Sequence, residues 1–296
     1  YQDEALFWPG IAVRRDGSRG ERLQQTDYND FAPRLGITWS PTPKWVIRAG
    51  AGIFYSQDTG NPRFDMARNL GGRTRFESDS STLYTFDTAF GALAGARAIV
   101  SRPYSFGVTY DRRTPRTHMY MLNVQRELPG NTLLELGYMG NNSVHLEQLR
   151  ALNEEIPGTT PHLDRVPFAQ FGRIQTVDAS GIGNYHGFSA KLTKRYSSGL
   201  TFLSSYTWSK AIDTGSAIRT HGGDTLFPQD SYCLRCERAL SSFHTAHRWV
   251  NSFLWDIPIG RGRPANVENR VLNAIVGGWQ VGSIIALQSG FPLTVV

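Results

Sequence analysis

The sequence predicts an all-β chain of antiparallel transmembrane β-barrel strands, with short periplasmic turns at one end and long extracellular loops at the other. Three observations predict it. Segments of about ten residues alternate apolar with polar side chains, the period that puts one set on each face of a strand. The links between them alternate between tight turns and long polar stretches, an asymmetry expected of outer-membrane barrels and uncommon in compact soluble domains. Finally, six of the seven tryptophans fall near the ends of these segments, on the apolar face.

Taken in order, residues 1–30 read as loop, with at most one strand over 6–13, and show no signal-peptide pattern at Tyr1. The partial barrel is expected over 31–296. In 34–40, Leu35, Ile37 and Trp39 share one face, opposite Arg34, Gly36 and Thr38. A tight turn at 41–44 leads to 45–55, where Trp45, Ile47, Ala49, Ala51, Ile53 and Tyr55 face out and Arg48, Gly50 and Gly52 face in. Residues 57–116 form a first long excursion, with a candidate strand at 104–110. The next hairpin carries Tyr120, Leu122 and Val124, a turn at 129–131, then Leu134, Leu136 and Tyr138.

After a second excursion over 141–183 comes the most complete unit, 184–210. Its arms carry Phe188, Ala190 and Leu192, then Leu200, Phe202, Tyr206 and Trp208, joined by Ser197, Ser198 and Gly199. A third excursion spans 211–246. Residues 247–257 then place Trp249, Phe253 and Trp255 on one face. A short helix is expected between Gly262 and Trp279, where the last strand begins. The uncharged stretch 271–296 is long enough for a membrane helix, but its glycines, Pro292 and its alternation from Trp279 favour a strand and turn.

With the tight turns facing the periplasm, Trp39, Trp45, Trp255 and Trp279 lie at the lower strand ends, and Trp208 and Trp249 at the upper ends. Indole rings favour both membrane interfaces, so two aromatic girdles are expected. Arg34, Arg48, Glu135 and Lys191 are the candidate lumen-facing residues.

Composition narrows the function classes. The chain has 296 residues, 40% hydrophobic, with a mean hydropathy of -0.34, too polar for a helical membrane protein and too apolar for disorder. Its net charge of +6 is scattered, with no basic run interleaved with aromatics, so nucleic acid is not expected as a partner. No P-loop, His-Glu-x-x-His or Gly-x-Ser-x-Gly is present. Gly50-Ala-Gly52 and Gly260-Arg-Gly262 lack the third glycine of a dinucleotide site, and Glu154 and Glu155 read as solvated loop charges. No enzyme and no cofactor are expected.

Five stretches together carry a family resemblance: FAPRLGITWSP with WVIRAGAGIFYS, MLNVQRELPGNTLLELGYMG, NYHGFSAKLTKRYSSGLTFLSSYTWSKAID, ERALSSFHTAHRWVNSFLWDIPIGRG, and NAIVGGWQVGSIIALQSGFPLTV. In this order they resemble successive barrel hairpins of TonB-dependent outer-membrane receptors, and among those the Oar-like subfamily with a carboxypeptidase-regulatory-like domain. The resemblance implies a barrel of about 22 strands closed by a globular plug, of which this chain would hold roughly eight to ten. It implies residence in the bacterial outer membrane, contact with its lipid, and uptake of a substrate with energy from the TonB complex, reached through parts absent from this chain. No plug domain or TonB box is recognisable.

The sequence departs from the subfamily at 233–247, where acidic residues are common and Cys233, Cys236, His244 and His247 stand instead. The cysteine-to-histidine gap is short for a zinc site, and His247 matches a histidine the family keeps at a strand start. No metal is therefore expected, and the cysteines are expected to form a local disulfide on the oxidising export route. Two other readings stay open: a small closed barrel of about eight strands serving as an anchor or adhesin, and a soluble β-protein.

Overall fold

A computed structural model describes residues 27–56, 105–109, 112–169, 171–216 and 227–293. The strand expected at 6–13 and most of the first excursion lie outside these residues. The strands are β1 (Arg34–Thr42), β2 (Trp45–Tyr55), β3 (Ser105–Val108), β4 (Arg116–Leu128), β5 (Thr132–Ala151), β6 (Ile174–Ser197), β7 (Leu200–Asp213), β8 (Ala239–Leu240), β9 (His247–Asp256) and β10 (Gln280–Gln288). Two helices accompany them, α1 (His162–Arg165) and α2 (Arg270–Val276). No helix among the described residues is long and apolar enough to cross a membrane, which says nothing of crossing by strands.

All ten strands form one sheet whose main path runs β1-β2-β4-β5-β6-β7-β9-β10. Every pairing on this path is antiparallel. Strand β3 lies parallel beside β6, and β8 pairs with the far end of β7. Among the described residues β1 and β10 do not pair with each other, so the sheet is open.

The tight turns step steadily across the sheet. Trp45 at the β1–β2 turn is opposite Arg126, yet β4 runs two residues further before the β4–β5 turn at Leu128 and Thr132. Thr132 is opposite Lys194, and β6 again runs on before its turn at Ser197 and Leu200. A step repeated in one direction is the stagger that tilted barrel strands require.

These turns match their sequences. The β6–β7 link is two residues, Ser198 and Gly199, both at positive φ (52° and 76°), the pattern of a type I′ hairpin turn. It is one residue shorter than the sequence reading has it, because Ser197 already pairs with Leu200. Gly130 and Asn131 take positive φ in the β4–β5 turn. The β9–β10 link is longer and contains α2, capped at its start by Asn269, whose side chain accepts from the N–H groups of Val271 and Leu272. The described part of the uncharged stretch 271–296 thus holds a two-turn helix followed by β10.

Register sorts the side chains into two faces. Trp39, Ile47, Val124, Leu136, Ala190, Tyr206, Trp249 and Leu287 form one continuous cross-strand row on the apolar face. One residue further along each strand, the row on the opposite face reads Thr38, Arg48, Asn123, Gly137, Ser189, Thr207, Arg248 and Gln288.

Large apolar residues on the first face are exposed, Ile37 by 59% and Trp208 by 59%. The buried core sits instead beyond the strand ends remote from the tight turns. There Phe106, Leu149 and Val177 pack together, with Val108 and Phe227 against them, under an extension of β5 and β6. The second excursion is therefore not all loop, since β5 reaches Ala151 and β6 begins at Ile174.

Candidate functional site

Two polar surfaces are candidates: the polar face of the sheet and the cap of loops at the far strand ends. On the polar face, Gln125, Glu135, Lys191 and Ser205 share one cross-strand row next to that of Arg48. The Gln125 Nε2 donates to Glu135 Oε2 at 2.8 Å, and Glu135 stands directly opposite Lys191. Gly137 keeps the next row open: a Cβ there would lie 2.7 Å from Ser189 Oγ and 3.4 Å from Asn123 Nδ2. The absent side chain lets those two polar groups crowd together. Asn123 Oδ1 is buried with no partner among the described residues, an acceptor available to whatever covers this face. Arg34 lies on the same face, opposite Gly52, with its guanidinium 4.6 Å from the centre of the Phe54 ring.

All four residues named as lumen-facing thus share one face by register. Three methionines that the alternation did not flag join them. Met121 is paired with Gly50 and Met139, and Met119 with Gly52, so apolar thioethers interrupt the polar wall.

The cap is held by buried polar groups. Arg150 donates from Nη1 to Asp178 at 2.8 Å and from Nε and Nη2 to the Ser231 carbonyl at 3.1 and 2.7 Å. Ser231 is fully buried; its Oγ accepts from Ala151 N–H and its own N–H donates to Glu154. Arg112 and Glu147 form a largely buried ion pair. Asn153 ties the second excursion together: its Nδ2 reaches the carbonyls of Phe168, Phe171 and Gly172, and its Oδ1 accepts from Phe168 N–H. The Tyr232 hydroxyl donates to the Leu152 carbonyl. Burial, and then the negative charge of Glu154, push its pKa above the ordinary phenol value. Glu154 and Glu155 are loop charges that have found partners, the latter Arg165 at 2.8 Å.

Cys233 and Cys236 are joined in a disulfide with their Cα atoms 5.4 Å apart. His244 is buried with its Nδ1 accepting from Ala211 N–H, which occupies that nitrogen. Among the described residues no three His, Cys, Asp or Glu are grouped to hold a metal ion.

The tryptophans divide by level. Trp39, Trp45, Trp255 and Trp279 lie close to the tight turns, and Trp208 and Trp249 lie towards the other end. Trp45 is covered by the Arg126 guanidinium, 4.8 Å from the ring centre. Trp249 Nε1 donates to Ser204 Oγ at 2.9 Å, and Trp279 Nε1 to the Ile275 carbonyl at 2.7 Å.

On the two polar surfaces hydroxyls meet carboxylates between chain neighbours, the Ser180 Oγ donating to Asp178 and the Ser216 Oγ to Asp213. What both offer is fixed donors and acceptors of mixed charge, suited to contact and recognition.

The family model described as an outer membrane beta barrel domain matches residues 4–296. No curated protein matches the chain. Solved structures similar to it include the FrpB iron transporter from Neisseria meningitidis (F3-3 variant), at 11% identity and a TM-score of 0.43, covering 76% of this chain and 24% of that one. The outer membrane transporter YddB from Escherichia coli is similar at 10% identity and a TM-score of 0.47, covering 87% and 33%. The siderophore receptor PirA from Acinetobacter baumannii is similar at 14% and 0.43, covering 87% and 33%. The chain spans about a quarter to a third of the length of these structures.

Proposed function

The chain belongs to the outer membrane beta barrel domain family, and on that premise we propose that it forms barrel wall and outer loops of a TonB-dependent receptor that takes up a substrate across the bacterial outer membrane. The apolar face with its two aromatic levels meets lipid, and Arg34, Arg48, Glu135 and Lys191 face the lumen. Trp39, Trp45, Trp255 and Trp279 then form the periplasmic girdle, and Trp208 and Trp249 the outer one. The observation that carries this reading is the open path of eight strands. An anchor barrel of about eight strands would bring β1 and β10 together, whereas among the described residues they do not pair. A wider barrel needs something to fill it, and a polar wall with unsatisfied acceptors such as Asn123 Oδ1 suits a globular plug. The Oar-like subfamily, with its carboxypeptidase-regulatory-like domain, is the finer assignment we infer from the order of hairpin motifs.

The capped loops are the place for substrate contact, because binding residues sit on loops held by a rigid scaffold. Energy enters through parts outside this chain. The deciding experiment mixes the full-length receptor, purified from native membranes in detergent, with the soluble C-terminal domain of its inner-membrane TonB protein. Receptor and TonB domain should co-migrate on size exclusion. A folded receptor that never retains the TonB domain would return the anchor reading to first place.

A further inference from the structure

The apolar face carries an arrangement that neither transport nor lipid burial requires. Tyr138 and His186 are hydrogen-bonded, Oη to Nδ1 at 2.8 Å, with stacked rings. Tyr206 and His247 repeat this at 2.7 Å, again stacked. The repeat is geometric: in each pair the histidine is on the following strand of the sheet path, two residues beyond the one opposite the tyrosine. Tyr138 is opposite Phe188, two residues from His186, and Tyr206 is opposite Trp249, two residues from His247. Because the turns step down in the same sense, both pairs stand at one height. Tyr120 joins the first pair, its ring 6.3 Å from Tyr138 and 6.5 Å from His186. Lys210 is directly opposite His186, and His118 shares the same face further along β4.

The height matters. Lys210 and His186 lie ten and eleven residues from the β6–β7 turn, and His247 nine residues from the same end of β9. At about 3.3 Å per residue and the tilt of barrel strands, that is roughly 25 Å above them, the upper edge of the lipid-facing band. Charge matters equally. By register, the strands carry no Asp or Glu on this face among the described residues, while Arg116, Lys210, His118, His186 and His247 are on it towards the end remote from the tight turns, and Arg126 and Lys194 on it close to those turns. Every carboxylate in the paired strand segments, Glu127, Glu135 and Asp213 among them, is on the other face or at its ends.

We propose that the tyrosine-fixed histidines His186 and His247, with Lys210, seat the phosphate groups of a phosphorylated glycolipid of the outer leaflet. Where the tyrosine hydroxyl is the donor to Nδ1, the imidazole is the Nε2–H tautomer, and Nε2 is then a donor on a ring already fixed in place. Lys210 supplies full charge beside it, and a phosphate bridging the two accepts charge-assisted hydrogen bonds. Tyr120, Tyr138, Tyr206 and Trp208 supply the apolar shelf on which the acyl chains and sugar rest, and amphipathic rings at this level have both surfaces they need. A lipid headgroup is preferred to a free anion because the donors open onto the lipid-facing side and not onto the lumen.

The test uses full-length protein in detergent, titrated with diphosphoryl lipid A and with the same glycolipid stripped of phosphate, read by native mass spectrometry. The diphosphoryl form should bind at least about ten-fold more tightly, the size of a few charge-assisted hydrogen bonds partly offset by water. The variant His186→Gln, His247→Gln, Lys210→Gln should lose that preference while still showing the gel-mobility shift of a folded barrel on heating. Should the triple variant not fold, Lys210→Gln alone, at an exposed position, should still lower the preference about three-fold. Equal binding of the two glycolipids, a preference that survives these substitutions, or displacement by millimolar inorganic phosphate would each overturn the proposal. Failure here leaves TonB binding untouched, so the two readings fail separately.

Discussion

Gly140 is where the Tyr120 ring rests. A Cβ built at Gly140 would lie 2.3 Å from Tyr120 Cε2 and 2.5 Å from Cζ, so the ring occupies the space that any side chain would fill. Gly140→Ala must therefore push Tyr120 away from Tyr138 and His186, and overpacking of this kind costs about 1–3 kcal/mol. Tyr120→Ala removes the clashing ring, so adding Gly140→Ala to it should cost less than in the parent. Urea titrations of the four proteins of this double-mutant cycle, folded into lipid, give that coupling; additive costs would mean that the ring does not lie there. Asn153 is the corresponding residue of the cap. Asn153→Ala removes an acceptor for Phe168 N–H and donors for three carbonyls. Leaving such groups unpaired costs about 1–3 kcal/mol, so exchange of the Phe168 amide should quicken at least ten-fold while amides in the lower half of β6 keep their protection. The disulfide is a weaker support. It closes a loop of only three residues' separation, and chain entropy limits its gain to about 2 kcal/mol. Cys233→Ser with Cys236→Ser should speed protease cleavage near 230–240 and leave the unfolding midpoint of the sheet unchanged.

At the scale of elements, what could be read in the sequence was decided by the membrane. Where a strand separates lipid from a polar interior, its side chains must alternate, and there β1, β2, β4, β7, β9 and β10 could be placed to within a few residues. Above the membrane that constraint lapses. The outer halves of β5 and β6 read Asn142-Ser143-Val144-His145 and Asp178-Ala179-Ser180-Gly181, polar on both faces, and passed for loop. Register shifts at 144–146 and 146–148, with His145 at φ 59°, break the period further. The Tyr–His pairs were illegible for another reason. Tyr138 and His186 are 48 residues apart, and only the register of β5 on β6 brings them together. The tight turns, by contrast, were local chemistry. Gly199 has φ 76° and a Cβ there would meet Asp256 Cβ and its carbonyl oxygen at 3.3 Å. Gly199→Val should cost about 1–2 kcal/mol, whereas Ser198→Asn, a residue favoured at the first position of a type I′ turn, should be neutral or slightly stabilising. Unfolding midpoints that did not separate these two variants would argue against the turn type.

For the molecule as a whole, the two sheet edges decide the outcome. Strands β1 and β10 are nine residues each, and on the outer side of each the ladder of N–H and C=O groups has no strand partner among the described residues. About half of the residues on an edge point these groups away from the sheet. In lipid an unsatisfied backbone group costs several kcal/mol, so two such edges together cost tens of kcal/mol, more than the 5–15 kcal/mol by which a typical folded domain is stable. The 296 residues expressed alone should therefore fail to insert as a monomer. They should aggregate, pair edge to edge with further copies, or remain protease-sensitive on the bilayer surface, while a longer protein of the kind the proposed function calls for should insert and show the mobility shift on heating. The measurement is co-refolding into vesicles followed by protease treatment and gel mobility with and without boiling. A protected monomer with a heat-dependent shift from the 296 residues alone would mean that β1 and β10 can close on each other. The open path would then no longer distinguish a wide, plugged barrel from a narrow anchor, and TonB binding alone would have to carry the transport reading.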